Sequence, residues 1–392
     1  MILKKLKLVN YRNYGEVELD FNEKFNYIYG DNGHGKTNIL EAISLISFGK
    51  SFIGSGEIDC VKFGESEFFV NGTFENEMDV SQMLVLSYSN QQRKKTYHLN
   101  KDNIRSFSSE LFGKFPVVFL SPHSLNITYG TPGERRKFFD VMISQTSPVY
   151  LDLLKSLVRL LKLKNALLKF SHKYPPSERD DLLSSYNEKL ADISAEVIYK
   201  RLMFLKEFRE FFEENFKYLT TEENYCSINY FSEVTGEVEY DKLDGFSIDD
   251  IKERMNSLLV EKKKEEKDRG LALVGPQRDD YFFKLEKDGK DVFDLKNHAS
   301  QGEHKTFVVA LKLAEFEYVK DKKGTAPILL LDDILSELDS SRVSKIIFHL
   351  KDFGQIFLTT TGVDYLEKIK EMYNEDEVNA YKVVKGSVTQ DK

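Results

Sequence analysis

Cysteine is scarce: only Cys60 and Cys226 occur, far apart in 392 residues and without metal-ligand spacing. That removes a disulfide framework and fits a reducing, cytosolic compartment. Long apolar runs are missing as well, none approaching the roughly eighteen residues a spanning helix needs. The first residues alternate Lys with apolar side chains and lack the apolar core of an export signal. These absences lead to the expectation of a cytoplasmic protein with no membrane partner. Internal repeats and low-complexity segments are also lacking. A basic excess is absent too: the formal net charge of −8 argues against wholesale nucleic-acid coating, though not against local patches. What remains, 41% hydrophobic and 31% charged residues, describes a folded globular chain. Its length allows two or three domains.

The most informative stretch is Gly30-Asp31-Asn32-Gly33-His34-Gly35-Lys36-Thr37. It matches G-x-x-x-x-G-K-[ST], follows an apolar strand-like run from Phe25 to Tyr29, and precedes apolar residues at helical spacing from Ile39 to Ile46. Strand, glycine loop and helix together are the context of a phosphate-binding loop. The glycines let backbone N–H groups face phosphate oxygens, and the helix start adds its positive dipole end. Lys36 is expected to reach the β- and γ-phosphates of ATP, with the Thr37 hydroxyl on Mg²⁺. Asn38 joins the expected nucleotide contacts. So does Arg12, carried by the turn Asn10–Gly15 just upstream.

In chain order, β signals open the sequence: Ile2 to Val9 alternates, as do Val17, Leu19 and Phe21. Further strand-like runs lie between Ile58 and Tyr88 and at Phe115–Leu120. The texture then becomes helical. Apolar residues recur at helical spacing from Tyr150 to Lys173, and again from Leu182 to Phe208 beyond Pro175-Pro176. Two helices joined by so short a turn should pack as an antiparallel hairpin, with arms on the order of 35–50 Å. A charged helix is expected over Ile248–Lys267. The α/β signal returns after Gly270. The expected fold is therefore α/β, with head segments 1–120 and 271–392 and a mostly helical arm domain, 121–270.

Near the C-terminus, Pro327-Ile328-Leu329-Leu330-Leu331-Asp332-Asp333 reads as an apolar strand ending in paired carboxylates. Downstream of a phosphate loop, Asp332 is a candidate Mg²⁺ ligand and Asp333 a candidate for polarising the attacking water. The alternative for Asp333 is a cap for the helix that follows.

A phosphate loop near the N-terminus, an Asp-ended strand near the C-terminus and a helical hairpin between them resemble the SMC-like branch of the ABC ATPases. Several strings resemble the RecF family of bacterial recombination-repair proteins more specifically. They are Asn10–Tyr14, Gly30–Thr37, Phe119–Pro122, Gly130–Asp140, Gly275–Asp280 and Leu330–Asp339, in the family's order across nearly the whole chain. The resemblance implies an ABC-type P-loop ATPase head with an inserted helical-hairpin arm. It also implies a composite site, in which ATP lies between one subunit's loop and the partner's signature, Ser300-Gln301-Gly302. Asp339 would belong to the D-loop at the dimer interface, and Thr359–Thr361 to the switch position. Slow hydrolysis, ATP-dependent homodimerisation, binding to single-stranded and gapped duplex DNA, and work with RecR-, RecO- and RecA-type proteins are what such a family member would show. Two departures stand out: the signature carries Gln301 and Glu303 where a Ser-Arg-Gly-Gln pattern is usual, and Ser-Pro-Glu-Asp reads Ser121-Pro122-His123-Ser124. Another SMC-like ATPase or a transporter's nucleotide-binding subunit remains an alternative. The roughly 260 residues between Lys36 and Ser300 are far more than transporter heads carry there.

One basic stretch stands out in this acidic chain. Lys155, Arg159, Lys162, Lys169 and Lys173 fall along one helical face. They are the expected DNA contacts, the alternative being an ordinary solvated face. Arg135-Arg136-Lys137 either extends this surface or, at Arg136, forms a structural salt bridge.

Overall fold

The computed structural model describes residues 1–52, 54–170, 174–220, 224–287, 291–335 and 340–391. The chain forms two compact units, Met1–Leu125 with Val309–Lys392, and Asn126–Val308.

In the first unit the apolar runs become a six-stranded sheet. Its order is Ser387–Asp391, Val378–Val384, Phe25–Tyr29, Ile356–Thr360, Ile328–Asp332, Val117–Leu120. All neighbours are parallel except the C-terminal hairpin. Ile328–Asp332 and Ile356–Thr360 are buried throughout, which is why they read as continuous apolar runs rather than alternating ones. The strand before the phosphate loop thus sits between two strands from the far end of the chain. A second, antiparallel sheet contains Ile2–Tyr11, Tyr14–Asp20, Glu67–Glu75, Ser81–Ser89, Lys94–Leu99 and Asp102–Ile104. Glu67–Glu75 alternates buried with exposed or half-buried positions, the mark of a sheet with one solvated face. The helix Lys36–Phe48 packs against strands of both sheets. Ten of its thirteen residues are buried, so it has no solvent face, and the stripe of an ordinary surface helix is missing.

The second unit contains the expected hairpin, Pro148–Lys169 and Pro176–Leu219. Each helix starts with proline at its first position, where the missing N–H goes unused. The second helix has 44 residues, about 66 Å at the helical rise, longer than the sequence pattern predicts. The predicted helix Ile248–Lys267 is two helices, Ile248–Glu261 and Lys263–Arg269. A four-stranded antiparallel sheet completes the unit, in the order Gly236–Val238, Tyr225–Ser232, Asp280–Lys287, Asp291–Asp294. The unit boundaries therefore fall at 125/126 and 308/309 rather than at the expected 120/121 and 270/271. The physical reason is a pairing: Asp280–Lys287 adds to Tyr225–Ser232, not to the sheet of the phosphate loop.

Candidate nucleotide site and basic arm

The loop between Phe25–Tyr29 and the buried helix is fixed by the turn that precedes it. Asn13 donates to the His34 carbonyl at 2.7 Å, and the Tyr14 hydroxyl donates to the Gly35 carbonyl at 2.9 Å. Asn38 donates to the Asn13 side chain at 2.9 Å, and the His34 ring meets the Val383 carbonyl at 3.3 Å. Gly35 has φ 114°, and a Cβ there would lie 2.9 Å from the Tyr14 hydroxyl and closer still to the Asn13 amide. Only glycine fits both the backbone and the neighbour. Asn13 and Tyr14 are site residues that motif reading passes over. Their signal is the Asn10–Tyr14 string, from which motif reading takes only Arg12.

Lys36 is buried, its ammonium donating to the carbonyls of Gly30 at 2.7 Å and Asp31 at 3.0 Å. Burial pulls its pKa down, opposed by Asp333, Asp332 and Asp31. Thr37 donates to both oxygens of Asp332, at 2.9 and 3.1 Å, and Thr359 donates to Asp332 at 2.7 Å. The strand order brings Thr37 to Asp332 across 295 positions in the chain, and Thr359 to Asp332 across 27. Asp332 is buried, which raises its pKa against the lowering effect of the two hydroxyls. Asp333 follows with φ 50°, and its N–H is held by the Thr359 hydroxyl and carbonyl, each at 3.2 Å.

Arg12 also has a positive φ, 53°. Its guanidinium forks onto Glu41, which is fully buried on the loop's helix. The other donors reach Ser55 at 2.7 Å and the Asp59 carbonyl at 2.8 Å. Arg12 thus ties the segment after the helix to the helix itself, and the buried carboxylate raises its pKa. Glu41 had no signal in the sequence beyond its place in an apolar helix.

Ser300, Gln301 and Gly302 belong to the second unit. Ser300 and Glu303 form a reciprocal cap at the start of the helix Gln301–Lys323: the Ser300 N–H donates to Glu303 at 2.7 Å and the Glu303 N–H to the Ser300 hydroxyl at 3.3 Å. Glu303, the departure from the family pattern, therefore has a local role. Asp339 and Lys173 lie outside the described residues.

On Pro148–Lys169, Lys155, Arg159, Lys162 and Lys169 are exposed, opposite the buried Leu157, Leu160, Leu167 and Leu168. Lys155 pairs with Asp152 at 2.9 Å. Lys164, off this stripe, is buried against Glu266 at 2.7 Å. Arg135 and Arg136 point inward. Arg135 grips Asp280 at 2.7 and 2.8 Å, and Arg136 donates to the Asp279 carbonyl. Beside them Arg201, on the 44-residue helix, is buried and directs its N–H groups to Asp140, Asp279, the Tyr150 hydroxyl and the Pro276 carbonyl. The strings Gly130–Asp140 and Gly275–Asp280 thus meet in one buried ionic hub. Arg136 is held inward by a backbone carbonyl rather than by the expected salt bridge, while Lys137 stays exposed.

A helix buried between a parallel and an antiparallel sheet, a Thr–Asp pair at the mouth of a phosphate loop, and a helical unit inserted into the chain define an ATPase head of the ABC type in its SMC-like form. The family model described as RecF/RecN/SMC N terminal domain matches residues 2–382. The chain belongs to the RecF family of DNA replication and repair proteins: RecF of Chlorobium luteolum is 34% identical over 362 residues, 92% of this chain and 94% of that protein. RecF of Phocaeicola vulgatus is 33% identical, with 100% and 99% covered. Among solved structures, the recombination mediator protein RecF–ATP in the RecFOR pathway aligns with TM-score 0.86 and 30% identity, covering 100% of this chain and 98% of that one. An SmcHead bound to the C-winged helix domain of ScpA shares the fold at TM-score 0.57 and 16% identity, covering 100% and 98%. Membership decides against the transporter alternative. No helix among the described residues is long and apolar enough to cross a membrane.

Proposed function

We propose that the protein is an ATP-dependent DNA-binding mediator of recombination repair. In this reading ATP draws two copies together, the dimer holds DNA at gaps or single/double-strand junctions, and RecO- and RecR-type partners help it load a RecA-type recombinase. The direct contact of Thr37 with Asp332 at the loop carries the nucleotide half of this reading. Hydroxyl and carboxylate oxygens side by side are the donor set that suits Mg²⁺, which takes few protein ligands besides substrate phosphates. Bound there, Mg²⁺ would supply charge neutralisation across the β- and γ-phosphates.

The chain's own groups have separable tasks. Gly30–Thr37 and the helix start cradle phosphate oxygens, and Lys36 supplies the cationic side chain. Asp333 orients the attacking water and takes its proton. Ser300–Gly302 meets the partner's nucleotide, and Asp339 belongs to the D-loop at the dimer interface. Lys155, Arg159, Lys162, Lys169 and Lys173 track DNA phosphates without reading bases. The test is sedimentation of the full chain with ATP and Mg²⁺, with and without gapped DNA. A dimer that forms only with ATP and travels with the DNA is expected. A chain that stays monomeric with ATP at any concentration of gapped DNA overturns the reading.

A further inference from the structure

Gly130–Asp140 and Gly275–Asp280 have no task in the proposed chemistry. Their side chains do more than fill the second unit. The loop Ser300–Gly302 is exposed or half-buried, and its cap with Glu303 is internal to the loop, so something else must set where it points.

Two consecutive residues touch both of its flanks. After the loop, His304 in the first helical turn is fully buried, and its ring stacks on Tyr129 with centroids 3.9 Å apart and planes at 22°. Before the loop, the short helix Leu295–His298 carries Lys296, whose ammonium donates to the Gly130 carbonyl at 3.1 Å. The same carbonyl accepts from Arg135 at 3.0 Å, and Arg135 is locked on Asp280 within the ionic hub. Gly130 has no room for a side chain, since a Cβ would stand 2.4 Å from the Asn126 carbonyl and nearer still to Glu134. The tight turn that puts Tyr129 on one flank and the Gly130 carbonyl on the other therefore requires glycine.

We propose that Tyr129 and Lys296 are positioning residues for Ser300–Gly302, gripping the loop from both sides and anchoring it through Arg135 to Asp280. This rests on the reading that the loop meets a partner's nucleotide. A contact made across an interface tolerates little misplacement, and an error of about 1 Å can lower its effect by about 10²-fold. Tyr129 and Lys296 touch no nucleotide in that arrangement. Their effect passes through the loop alone.

The test compares ATP-dependent dimerisation by sedimentation with nucleotide binding by the monomer, in the full chain. Tyr129 is 43% exposed, so Tyr129→Ala leaves the core intact. It should weaken ATP-dependent dimerisation by at least about tenfold, within the range of ordinary coupling between sites, with monomer nucleotide affinity unchanged. Tyr129→Phe keeps the stacked ring and should dimerise like the parent. Lys296→Met, at an exposed side chain, should fall between the two. Parent-like dimerisation by Tyr129→Ala, or a Tyr129→Phe variant as defective as Tyr129→Ala, overturns the proposal. So does an equal loss of monomer nucleotide binding in Tyr129→Ala, which would mark general damage. Ser300→Arg separates the two ideas, because a bulky cation in the loop should block the dimer if the loop is at the interface. If Ser300→Arg is blocked while Tyr129→Ala is normal, only the positioning role falls. If both dimerise normally, the composite-site reading falls and takes the positioning role with it.

Discussion

At the scale of single residues, the site combines groups that fold at a cost with groups that recover it. Lys36 is an ammonium buried against carbonyls, its pKa pulled down by desolvation. Lys36→Ala should abolish ATP binding, because the loop then faces a polyanion without its main cation. The same substitution relieves a desolvated charge but strips the Gly30 and Asp31 carbonyls of their donor, so the melting temperature should shift little. Calorimetric titration with ATP and a thermal melt read the two effects separately. Asp333 sits at φ 50°, a conformation that Asn tolerates as Asp does. Asp333→Asn should therefore keep the fold and ATP binding but slow phosphate release by at least about tenfold, since positioned bases contribute about 10²–10⁴. Hydrolysis at the parent's rate would return Asp333 to a capping role. Lys36, Thr37 and Asp332 were legible because each belongs to a local pattern with its own chemistry. Asn13 and Tyr14 are legible only as members of the Asn10–Tyr14 string, not in their roles: they act on carbonyls 21 residues away, and a bond to a backbone oxygen leaves no trace in the partner's residue type.

Among elements, the hairpin helix Pro148–Lys169 divides cleanly. Leu157, Leu160, Leu167 and Leu168 are buried, while Lys155, Arg159, Lys162 and Lys169 face solvent. Reversing Lys155, Arg159 and Lys162 to Glu should weaken DNA binding about equally for all sequences. If four or five phosphates are contacted, the parent's log–log salt slope is roughly −4, and the variant's should be flatter. ATP binding should survive, because all three belong to the second unit and the phosphate loop to the first. Unchanged DNA affinity and slope in filter-binding or anisotropy titrations would move the DNA site elsewhere. Helical period placed this stripe correctly on the solvent side, and left Lys164 off it, because side-chain direction follows from position alone. Strand partners do not follow that way. Asp280–Lys287 has the texture of any half-buried strand, and nothing in its residues says that it pairs with Tyr225–Ser232. Nor could charge pattern tell that Arg135 and Arg201 turn inward, since their carboxylate partners lie up to 145 residues off.

For the whole molecule, the decisive fact is that the head is assembled from the two ends of the chain while the arm unit is continuous between them. The sequence showed the interruption as a change of texture, and it showed both ends as α/β. It could not show that Phe25–Tyr29 lies between Ile356–Thr360 and Val378–Val384, a pairing across about 330 residues. That placement has a consequence in time as well as in space. On a ribosome adding about 5–20 residues per second, the strand that leads into the phosphate loop emerges roughly 15 to 65 s before its first sheet neighbour exists. Throughout that interval both its hydrogen-bonding edges are open, while residues 126–308 can close on themselves as soon as they are made. The newborn chain therefore acquires its arm first and its capacity to hold a nucleotide last, so no copy can answer ATP before it carries the surface proposed to hold DNA.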